Sequence, residues 1–431
     1  MDELVDRLRH GQWTAGVVGL GYVGLPLAMS AARAGLPVVG FDIAGERVTS
    51  LRDGRSHVGD VSDAELMGAL SGGAVFTDDP SELGSADAIF ISVPSPLGRN
   101  RQPDMSYIDS AAETVAKVAR TGQLISLEST TYPGTTEEYL VPALERAGLR
   151  LDTDVYVAFS PERVDPGNKL GTHEIPKVVG GVTRRSGDVA EAAYERLVAR
   201  VHRVSSARAA ELTKLLENTY RAVNIALVNE LTQVAAAFDV DIWEVVDAAA
   251  TKPFGFEPFY PGPGVGGHCI PLDPQFLAWR ARELRVATRF IDLAEDVNVH
   301  MPDYVAGRVV DLLNRRRLPL RGTRILGLGV AYKRNVADDR ESPSVDLLER
   351  LARGGAELGV LDPHVPLERL QRFGYEVVPA DVSLDSWDLA IVLTDHDAID
   401  FARVAAEVDT VFDTRGVYRR LALRVENVVP M

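Results

Sequence analysis

A glycine-rich turn near the N-terminus constrains the fold of this chain more than any other part of its sequence. The segment Gly19-Leu20-Gly21-Tyr22-Val23-Gly24 follows an apolar run at residues 14–18 and opens a helical pattern. Glycines at this spacing permit a tight turn, a close approach of the backbone to a diphosphate, and close contact between helix and strand. The segment therefore predicts a nucleotide-binding turn, and a tight turn without a ligand is the alternative.

Asp42 supports the nucleotide-binding interpretation. It ends a second apolar run at residues 36–42 and lies 21 residues beyond Gly21. A carboxylate at that place accepts hydrogen bonds from both hydroxyls of an adenosine ribose and repels a 2′-phosphate. The sequence therefore predicts NAD, rather than NADP, as the cofactor. The cofactor-binding residues predicted here are Gly19, Gly21, Tyr22, Val23, Gly24 and Asp42.

Apolar runs alternate with helical patterns through the first half of the chain, which predicts a doubly wound parallel sheet. Besides the two runs above, the predicted strands of this half are 87–93, 122–128 and 155–159. Helical periodicity dominates 205–250 and resumes at 275–316. The Gly- and Pro-rich stretch 253–274 between them is predicted to contain no regular element and to have a function.

The last part of the chain returns to the α/β pattern, with predicted strands at 323–328, 356–362, 389–394 and 410–413. Gly327-Leu328-Gly329 is predicted to follow the first of these strands, as Gly19-Leu20-Gly21 follows the first strand of the chain. Asp362 mirrors Asp42 in the same way. The predicted fold class is therefore α/β, with two Rossmann-like doubly wound domains joined by a central helical domain. The predicted boundaries are 1–203, 204–302 and 303–431.

Composition and charge exclude several classes of protein. The chain has 431 residues, of which 46% are hydrophobic and 25% charged, and this suits a soluble globular protein of two or three domains. A net charge of −16 argues against a nucleic-acid partner, and no apolar stretch reaches the ~18 residues of a membrane span. The one cysteine excludes an intrachain disulfide, and the acidic start lacks the apolar segment of a signal peptide. We expect a cytoplasmic protein with no membrane partner and no resident metal.

Cys269 lies in a glycine-rich segment, 262–273. Its flanking glycines expose backbone and let a ligand approach closely, so the thiolate could act as a nucleophile. A buried small hydrophobe is the alternative role for a lone cysteine.

Three further motifs carry candidate chemistry. Lys214 and Asn218 lie one turn apart on a predicted helix and share a face, although such a face is usually solvated. The hydroxyl-rich segment Ser129–Thr136 follows a predicted strand, where doubly wound folds bind ligands, and a helix N-cap is the alternative. Lys333 and Arg334 could bind a phosphate, whereas the charged cluster at 338–341 is usually a solvated loop.

Together these motifs resemble the UDP-glucose/GDP-mannose dehydrogenase superfamily, the nucleotide-sugar 6-dehydrogenases. The resemblance extends from Gly19 to about Arg415, and the motifs occur in the family's order. They are GLGYVGLP (19–26), VPSP (93–96), STTYPGTT (129–136), SPERV (160–164), KLLENTYR (214–221), GPGVGGHCIPLDP (262–274) and GVAYKRNVADDRESPS (329–344).

The resemblance implies that the C6 alcohol of a nucleotide sugar is oxidised to a carboxylate, with two NAD+ and one water. Cys269 matches the family's nucleophile, which forms a thiohemiacetal and then a thioester. Lys214 matches the lysine that assists alcohol deprotonation or steadies the oxyanion. Asn218 and Asp273 match residues that hold the water and the oxyanion network.

The other site residues also follow from the resemblance. Glu162 matches a carboxylate assigned to acid–base work, and Thr130 would lie beside the water and the nicotinamide. Further contacts with the cofactor are predicted for Pro94, Thr130 and Arg340. Contacts with the substrate are predicted for Glu162, Arg163, Val164, Lys214, Asn218, Phe259, Tyr260, Gly264, Gly266, Tyr332 and Lys333.

The family's domain plan matches the predicted layout. It implies an N-terminal NAD domain, a central helical domain that carries the catalytic lysine, the cysteine loop and dimer contacts, and a C-terminal domain that binds the nucleotide diphosphate. It places the active site in the cleft between the two α/β domains. It also implies a homodimer that serves polysaccharide biosynthesis.

The identity of the sugar rests on finer differences within the family. Typical UDP-glucose dehydrogenases carry a lysine where this chain has Leu272, and they also differ at His268, 252–255 and 160–164. The forms found here, SPERVDPGN (160–168) above all, resemble UDP-N-acetylhexosamine 6-dehydrogenases, with UDP-GlcNAc as the main prediction and UDP-ManNAc as the nearer rival. One alternative is a UDP-glucose or TDP-glucose 6-dehydrogenase with the same mechanism. The others are a two-electron NAD-dependent alcohol dehydrogenase with a structural cysteine, and a nucleotide-binding module without activity.

Overall fold

A computed structural model describes residues 2–98, 101–163, 174–267 and 269–431. The chain forms two compact units. The first unit comprises Met1–Glu217 and Gln275–Val286, and the second comprises Asn218–Pro274 and Ala287–Met431. In the described part of the chain, no helix combines the length and the apolar character needed to cross a membrane.

The first unit is built on an eight-stranded sheet. Its strands are β1 (Ala15–Val18), β2 (Val38–Phe41), β3 (Val75–Thr77), β4 (Ala88–Ile91), β5 (Gln123–Leu127), β6 (Val155–Phe159), β7 (Lys177–Gly181) and β8 (Val201–Arg203). They lie in the order β3-β2-β1-β4-β5-β6-β7-β8. All neighbours pair in parallel except β6 and β7, which are antiparallel.

Helices cover both faces of this sheet, which explains why its strands are continuous apolar runs. On β4, Ala88 and Phe90 belong to one buried cluster, while Ile89 and Ile91 belong to the cluster on the opposite face. The helices are α1 (Asp2–Arg9), α2 (Gly24–Arg33), α3 (Gly45–Arg52), α4 (Asp63–Ser71), α5 (Ser106–Val118), α6 (Val141–Arg146), α7 (Arg184–Tyr194) and the start of α8 (Ala207–Ala237).

The second unit combines helices with a six-stranded parallel sheet. Its helices are the remainder of α8, α9 (Ile242–Ala250), the start of α10 (Cys269–Glu283), α11 (Arg289–Arg315), α12 (Pro343–Arg353), α13 (Leu367–Leu370), α14 (Phe401–Glu407) and α15 (Val417–Arg420). Its strands are β9 (Arg324–Leu328), β10 (Glu357–Leu361), β11 (Glu376–Val377), β12 (Leu389–Val392), β13 (Val411–Asp413) and β14 (Val428–Pro430). They lie in the order β11-β10-β9-β12-β13-β14.

The predicted fold class is confirmed, and each of the nine predicted strands is present within two residues of its expected limits at either end. The boundaries 1–203, 204–302 and 303–431 remain a prediction. Strands β3, β7, β8, β11 and β14 were not predicted from the sequence; all of them lie towards the ends of the two sheets, and all except β7 have only two or three residues.

The prediction that 253–274 holds no regular element is wrong for its last six residues. The helix α10 begins at Cys269 and includes Pro271 and Pro274. A proline is tolerated in the first turn of a helix, where its missing N–H has no intrahelical partner. Pro274 lies deeper and removes one hydrogen bond, but the helix continues to Glu283. The correction places Cys269 at the first position of a helix.

The prediction that Gly327-Leu328-Gly329 follows a strand of the second sheet, as Gly19-Leu20-Gly21 follows β1, also needs a correction. Gly327 and Leu328 lie inside β9, and only Gly329 follows the strand. Gly329 has a φ of 79° and is the counterpart of Gly19, which has a φ of 88° directly after β1. The second sheet therefore lacks a glycine pair at the corresponding turn.

Candidate active site

The three glycines after β1 have different structural roles. A Cβ on Gly19 would lie 2.6 Å from the carbonyl oxygen of Ser92, and one on Gly24 would lie 1.8 Å from the carbonyl oxygen of Gly19. Both positions therefore require glycine because of close contacts within the protein. A Cβ on Gly21 would have no atom within 4 Å. The open space at Gly21 is where a diphosphate can approach the backbone.

The helix α2 begins at Gly24, the last glycine of this turn. Val23, its N-cap residue, provides no side-chain cap, and Tyr22 is 53% exposed. A helix N-terminus without a side-chain cap favours an anionic ligand through its amide groups and its dipole. The turn therefore fits the diphosphate of a dinucleotide.

Asp42 lies directly after β2 and is held in place by the backbone. Its Oδ2 accepts the N–H of Leu20 at 2.8 Å, and its Oδ1 accepts the N–H of Ala44 at 2.9 Å. Arg47 donates to Oδ2 at 2.7 Å. The carboxylate is thus fixed beside the glycine turn, as a ribose acceptor must be, and a guanidinium lies next to it.

Asp42→Asn is expected to weaken the discrimination between NAD and NADP. The change removes the negative charge that repels a 2′-phosphate, and it releases the Arg47 guanidinium to bind that phosphate. Because a charge-assisted hydrogen bond contributes about 1.5–3 kcal/mol, the ratio of kcat/KM for NAD to that for NADP should fall roughly tenfold or more. Steady-state kinetics with both cofactors measure this ratio. Arg47→Ala is the matched control and should not improve the use of NADP; an unchanged ratio in Asp42→Asn would contradict the role given to the carboxylate.

Asp362 lies directly after β10, as Asp42 lies directly after β2, but it has different hydrogen-bond partners. Its Oδ2 accepts the backbone N–H groups of Val330 and Ala331 and faces His396 Nε2 at 3.2 Å. Its Oδ1 accepts two more amides. These bonds outweigh the effect of burial and hold the pKa of Asp362 well below its usual range. Its carboxylate therefore stabilises the turn after β9.

Lys214 and Thr130 meet at the carboxyl edge of the first sheet. Thr130 lies three residues beyond β5, and Lys214 lies on α8. The lysine Nζ donates a hydrogen bond to Thr130 Oγ1 over 2.5 Å, and the lysine is only 8% exposed. Ligands of open α/β sheets bind beyond the carboxyl ends of the strands. The pair is therefore positioned for chemistry on a bound ligand.

Glu162 lies at the same edge, because β5 and β6 are parallel neighbours and Glu162 is the third residue after β6. Its Oε1 accepts the backbone N–H of Arg163 at 2.9 Å, and its Oε2 accepts from Lys177 Nζ at 2.8 Å. Lys177 also donates to Glu128 Oε2 at 2.8 Å. Lys177 and Glu128 were not predicted from the sequence to lie at this site. The available signal was the glutamate that ends the buried run 122–128, since a buried carboxylate needs a partner.

Burial and charge act together in this group of three side chains. Burial raises the pKa of the Glu128 carboxyl, because the loss of solvation outweighs the attraction of Lys177. Burial alone would lower the pKa of Lys177, but the carboxylates of Glu128 and Glu162 outweigh it and raise that pKa. Lys177 therefore remains an ammonium group at neutral pH.

Arg163 forms a second ion pair at this edge. Its guanidinium donates to both carboxylate oxygens of Glu217 on α8, at 3.1 and 2.5 Å, and to the carbonyl of Pro176 at 2.7 Å. Glu217 lies one turn from Lys214 on the same helix. Val164, also predicted to contact substrate, lies outside the described residues. Pro94 lies three residues beyond β4 and is exposed.

In the second unit, Cys269 is the first residue of α10 and is partly exposed. The N-terminal end of a helix favours negative charge, so it stabilises a thiolate. Asn218 and Asp273, predicted to act together, are joined directly: Asn218 Nδ2 donates to Asp273 Oδ2 at 2.6 Å. Asp273 lies one turn beyond Cys269 on α10 and is buried. His268 lies outside the described residues.

The glycines before the cysteine contact the protein's own chain. A Cβ on Gly266 would lie 2.6 Å from the carbonyl oxygen of Glu341, and one on Gly267 would lie 2.6 Å from the ring of Tyr332. Gly264 has a φ of 137°, which strains other residues. These positions therefore require glycine for packing, and substrate binding at Gly264 and Gly266 stays a prediction.

The two predicted aromatic substrate residues each contact another ring. Phe259 meets Tyr220 edge-on, with ring centroids 5.7 Å apart. Tyr260 stacks on Trp243 at 5.5 Å and donates a hydrogen bond to Asp247 Oδ1 at 3.0 Å. The stacked pair forms part of a cavity.

This cavity has a volume of about 770 Å³, and its lining includes Trp243, Tyr260, Arg415 and Arg420. Stacked aromatic rings with guanidinium groups suit a flat ring joined to an anion. The indole N–H of Trp243 is buried, and among the described residues none accepts a hydrogen bond from it. Trp243 and Arg415 were not predicted from the sequence, where a tryptophan in a helical run is ordinarily a core residue.

Two predicted cationic residues lie on the segment between β9 and α12. Lys333 is half-buried beside Tyr332. Arg340 is exposed and donates to Asp338 at 2.7 Å. An exposed ion pair of this kind contributes little stability. The predicted contacts of Arg340 with cofactor and of Lys333 with substrate stay predictions.

A doubly wound sheet, a glycine turn open at its second glycine and a fixed carboxylate after β2 define a dinucleotide-binding enzyme of the Rossmann type. Three models of one family match the chain in order, as the NAD binding domain (14–198), the central domain (208–300) and the UDP binding domain (326–420). The chain belongs to the UDP-glucose/GDP-mannose dehydrogenase family and is an NAD-dependent nucleotide-sugar dehydrogenase. This confirms the predicted family and the predicted cofactor.

Individual relatives match along nearly the whole chain. The chain is 36% identical over 395 residues to UDP-N-acetyl-D-glucosamine 6-dehydrogenase of Pseudomonas aeruginosa, covering 91% of this chain and 92% of that enzyme. The structure of UDP-D-ManNAc dehydrogenase from Pyrococcus horikoshii matches with a TM-score of 0.86 and 32% identity, covering 97% and 98% of the two chains. A UDP-glucose dehydrogenase from Pyrobaculum islandicum matches with a TM-score of 0.83 and 29% identity, covering 94% of each chain.

Proposed function

We propose that this enzyme oxidises C6 of a UDP-N-acetylhexosamine, with UDP-GlcNAc as the main candidate, to the corresponding uronic acid. The observation that carries the oxidation to an acid is Cys269 at the start of α10, one turn before an Asp273 that is bonded to Asn218. The choice of sugar is supported by the similarity to UDP-N-acetyl-D-glucosamine 6-dehydrogenase of Pseudomonas aeruginosa. A thiol is not needed to oxidise an alcohol to an aldehyde. It is needed to convert the aldehyde into a form that loses a second hydride.

The proposed reaction balances as two oxidations and one hydrolysis. The alcohol R–CH2OH, water and two NAD+ give R–COOH, two NADH and two protons. NAD, when bound at the glycine turn and Asp42, accepts the hydride at each oxidation. Between the oxidations, the Cys269 thiolate adds to the C6 aldehyde and forms a thiohemiacetal. Loss of the second hydride from C6 leaves a thioester, and water then displaces the thiol.

The other residues have separate roles in this scheme. Lys214, held by Thr130, takes the proton of the C6 hydroxyl or steadies the oxyanion. Glu162 accepts the proton of the water that attacks the thioester. Asn218 and Asp273 orient that water and the oxyanion. Each role rests on the resemblance and on the contacts of these side chains.

The nucleotide is proposed to bind in the cavity beside Trp243 and Tyr260. The uracil ring would stack there, and Arg415 and Arg420 would face the diphosphate. Lys333 would contact the phosphate nearest the sugar. The match of the UDP binding domain to 326–420, which includes both arginines, supports this assignment.

UDP-GlcNAc is expected to be oxidised in preference to UDP-glucose by roughly 5- to 150-fold in kcat/KM. A site built for an acetamido group leaves polar groups unpaired when glucose binds, and each lost buried hydrogen bond costs about 1–3 kcal/mol. A panel of UDP-GlcNAc, UDP-ManNAc, UDP-GalNAc and UDP-glucose, assayed by NADH formation and by product mass, measures the preference. A tenfold preference for UDP-glucose or TDP-glucose would overturn the choice of sugar but not the mechanism.

The stoichiometry separates this proposal from a two-electron alcohol dehydrogenase. Two NADH per sugar and a carboxylate product support the four-electron reaction. One NADH per sugar and an aldehyde product would support the alternative, in which Cys269 has only a structural role.

The enzyme is further proposed to act as a cytoplasmic homodimer that supplies uronic acids for polysaccharide synthesis. Exposed apolar side chains follow one another along α8 at helical spacing, including Leu216, Leu227 and Leu231, which are 63%, 52% and 43% exposed. Such a stripe is typical of a helix that contacts a partner. Light scattering is expected to give twice the monomer mass for the native enzyme and the monomer mass for Leu227→Glu. A monomeric native enzyme would contradict the dimer.

A further inference from the structure

Lys177, Glu128 and Glu162 form a buried cluster with two acidic groups and one basic group. The lysine Nζ lies 2.8 Å from one oxygen of each carboxylate. The side chains of Lys177, Glu128 and Glu162 are 5%, 0% and 11% exposed. Only Glu162 is therefore open to a ligand, and the two other residues can act on a reaction only through it.

Glu128 is enclosed by further polar groups. Its Oε1 accepts a hydrogen bond from Tyr194 OH at 2.6 Å, and the tyrosine oxygen lies 2.9 Å from Ser126 Oγ. Tyr194 is itself fully buried on α7. Glu128 is therefore held from one side by a neutral hydroxyl and from the other by the Lys177 ammonium. It cannot move to follow a substrate.

The charges of the cluster do not cancel when all three groups are ionised. One ammonium then faces two carboxylates, and an uncompensated buried charge is costly. The Lys177 ammonium bonds to two carboxylates. That of Glu128 has no contact with solvent, and that of Glu162 lies at the carboxyl edge of the sheet. The protonation state of Glu162 therefore depends on Lys177 directly and on Glu128 through Lys177.

The remaining charged groups at this edge are already paired. Arg163, the neighbour of Glu162, donates to both oxygens of Glu217 on α8. Lys214, also on α8, donates to Thr130. From β7 the facing group is Lys177, from the end of β5 it is Glu128, and from α7 it is Tyr194. Among these described groups, Lys177 is the one whose ammonium bonds to the Glu162 carboxylate.

We propose that Lys177 is a positioning residue that fixes the Glu162 carboxylate and keeps it ionised as a base, and that Glu128 limits the charge that Glu162 receives. The proposal rests on the acid–base role given to Glu162 above. The proposal adds Lys177 and Glu128, which do not touch the substrate, as residues that act through Glu162. It also explains why a lysine is buried at the first position of a strand that is otherwise apolar or glycine.

Substitutions at Lys177 and at Glu128 are expected to shift the acidic limb of the pH profile of kcat/KM in opposite directions. Lys177→Met removes the positive charge, so the limb of kcat/KM should move to higher pH by about one unit or more. Glu128→Gln keeps the shape but leaves the whole ammonium charge to Glu162, so the limb should move to lower pH. Lys177→Arg should restore much of the native profile. Lys117→Met, at an exposed lysine on α5, is the matched control and should leave the limb in place.

In the same variants we expect kcat to change while the binding of the nucleotide sugar stays nearly the same. Lys177→Met should lower kcat by roughly tenfold to a hundredfold, with little change in KM for the nucleotide sugar. Melting curves and NAD binding identify any variant that is not folded. If Lys177→Met does not fold, Lys177→Arg and Glu128→Gln still carry the test, because both keep a polar side chain in the cluster.

Two outcomes would overturn the proposal, and they are distinct. Shifts of the same sign in Lys177→Met and Glu128→Gln, or no shift in either, would mean that the cluster is only structural. Glu162→Gln is expected to remove the acidic limb and to let the thioester accumulate in intact-mass spectra. If Glu162→Gln keeps the native limb and rate, the role given to Glu162 in the proposed function fails, and the positioning role fails with it.

Discussion

Replacing Cys269 with alanine is expected to end the formation of uronic acid, with a loss of about a thousandfold or more in the rate of the second oxidation. In the proposed mechanism, the thiolate at the start of α10 turns an aldehyde, a poor hydride donor, into a thiohemiacetal that loses hydride readily. Alanine keeps the helix but provides no nucleophile. The measurements are the NADH formed per sugar and the mass of the product.

The lone cysteine makes this experiment unusually clean. Because the chain contains one cysteine, alkylation by a thiol reagent or an acyl adduct in the intact mass reports on Cys269 alone. The NAD site of the first unit is built from other residues, so the Kd for NAD should be unchanged in Cys269→Ala. Formation of two NADH per sugar by this variant would show that the thiol is not the nucleophile.

The site of the first unit was largely predictable where it depends on local sequence. The turn from Gly19 to Gly24 and the carboxylate of Asp42 obey constraints that act within one strand–turn–helix unit. Those constraints are steric, and the contacts of Gly19 and Gly24 bear them out. The same logic failed at Gly327, because a glycine can also occupy a strand interior. There a Cβ would lie 3.0 Å from the side chain of Leu393 and 3.1 Å from that of Leu348, so these side chains would have to shift to admit it.

Contacts between distant segments were not predictable from the sequence. Lys177 joins Glu128 and Glu162 across separations of 49 and 15 residues. The strand that carries it, β7, has five residues and runs antiparallel to β6. The strand begins with a lysine and ends with two glycines, so no apolar periodicity distinguishes it from a loop, and Lys177 was not predicted as a site residue. The glutamate at the end of β5 was visible, but its partner depends on how β7 is placed.

The start of α10 shows how a strong local rule can mislead. Prolines at 271 and 274 argue against a helix interior, so the irregular segment was predicted to extend to 274. Pro271 lies in the first turn of α10, where a proline is tolerated because the N–H groups have no intrahelical partner. The wrong boundary also concealed a property of the cysteine. At the first position of a helix the dipole favours a thiolate, whereas a cysteine in a loop lacks this effect.

Lys214→Ala is expected to lower kcat by about a hundredfold to ten-thousandfold, with KM for the nucleotide sugar changed far less. The lysine is buried at the carboxyl edge of the first sheet, and its Nζ is fixed by Thr130 Oγ1 at 2.5 Å. In the proposed mechanism, this group acts on charge that develops at the C6 oxygen during reaction. Such charge is small in the bound substrate, so the loss should fall on kcat. Initial rates over a range of sugar concentrations measure the two constants separately.

Two variants define which property of Lys214 matters. Lys214→Arg keeps the positive charge but replaces a compact ammonium with a larger forked group, so it should recover only part of the rate. Thr130→Val removes the bond that fixes Nζ and leaves the lysine in place, so its loss should be smaller than that of Lys214→Ala. A rise in KM with an unchanged kcat in Lys214→Ala would contradict the catalytic role, because an interaction that is equally strong in the bound substrate and in the transition state changes binding alone.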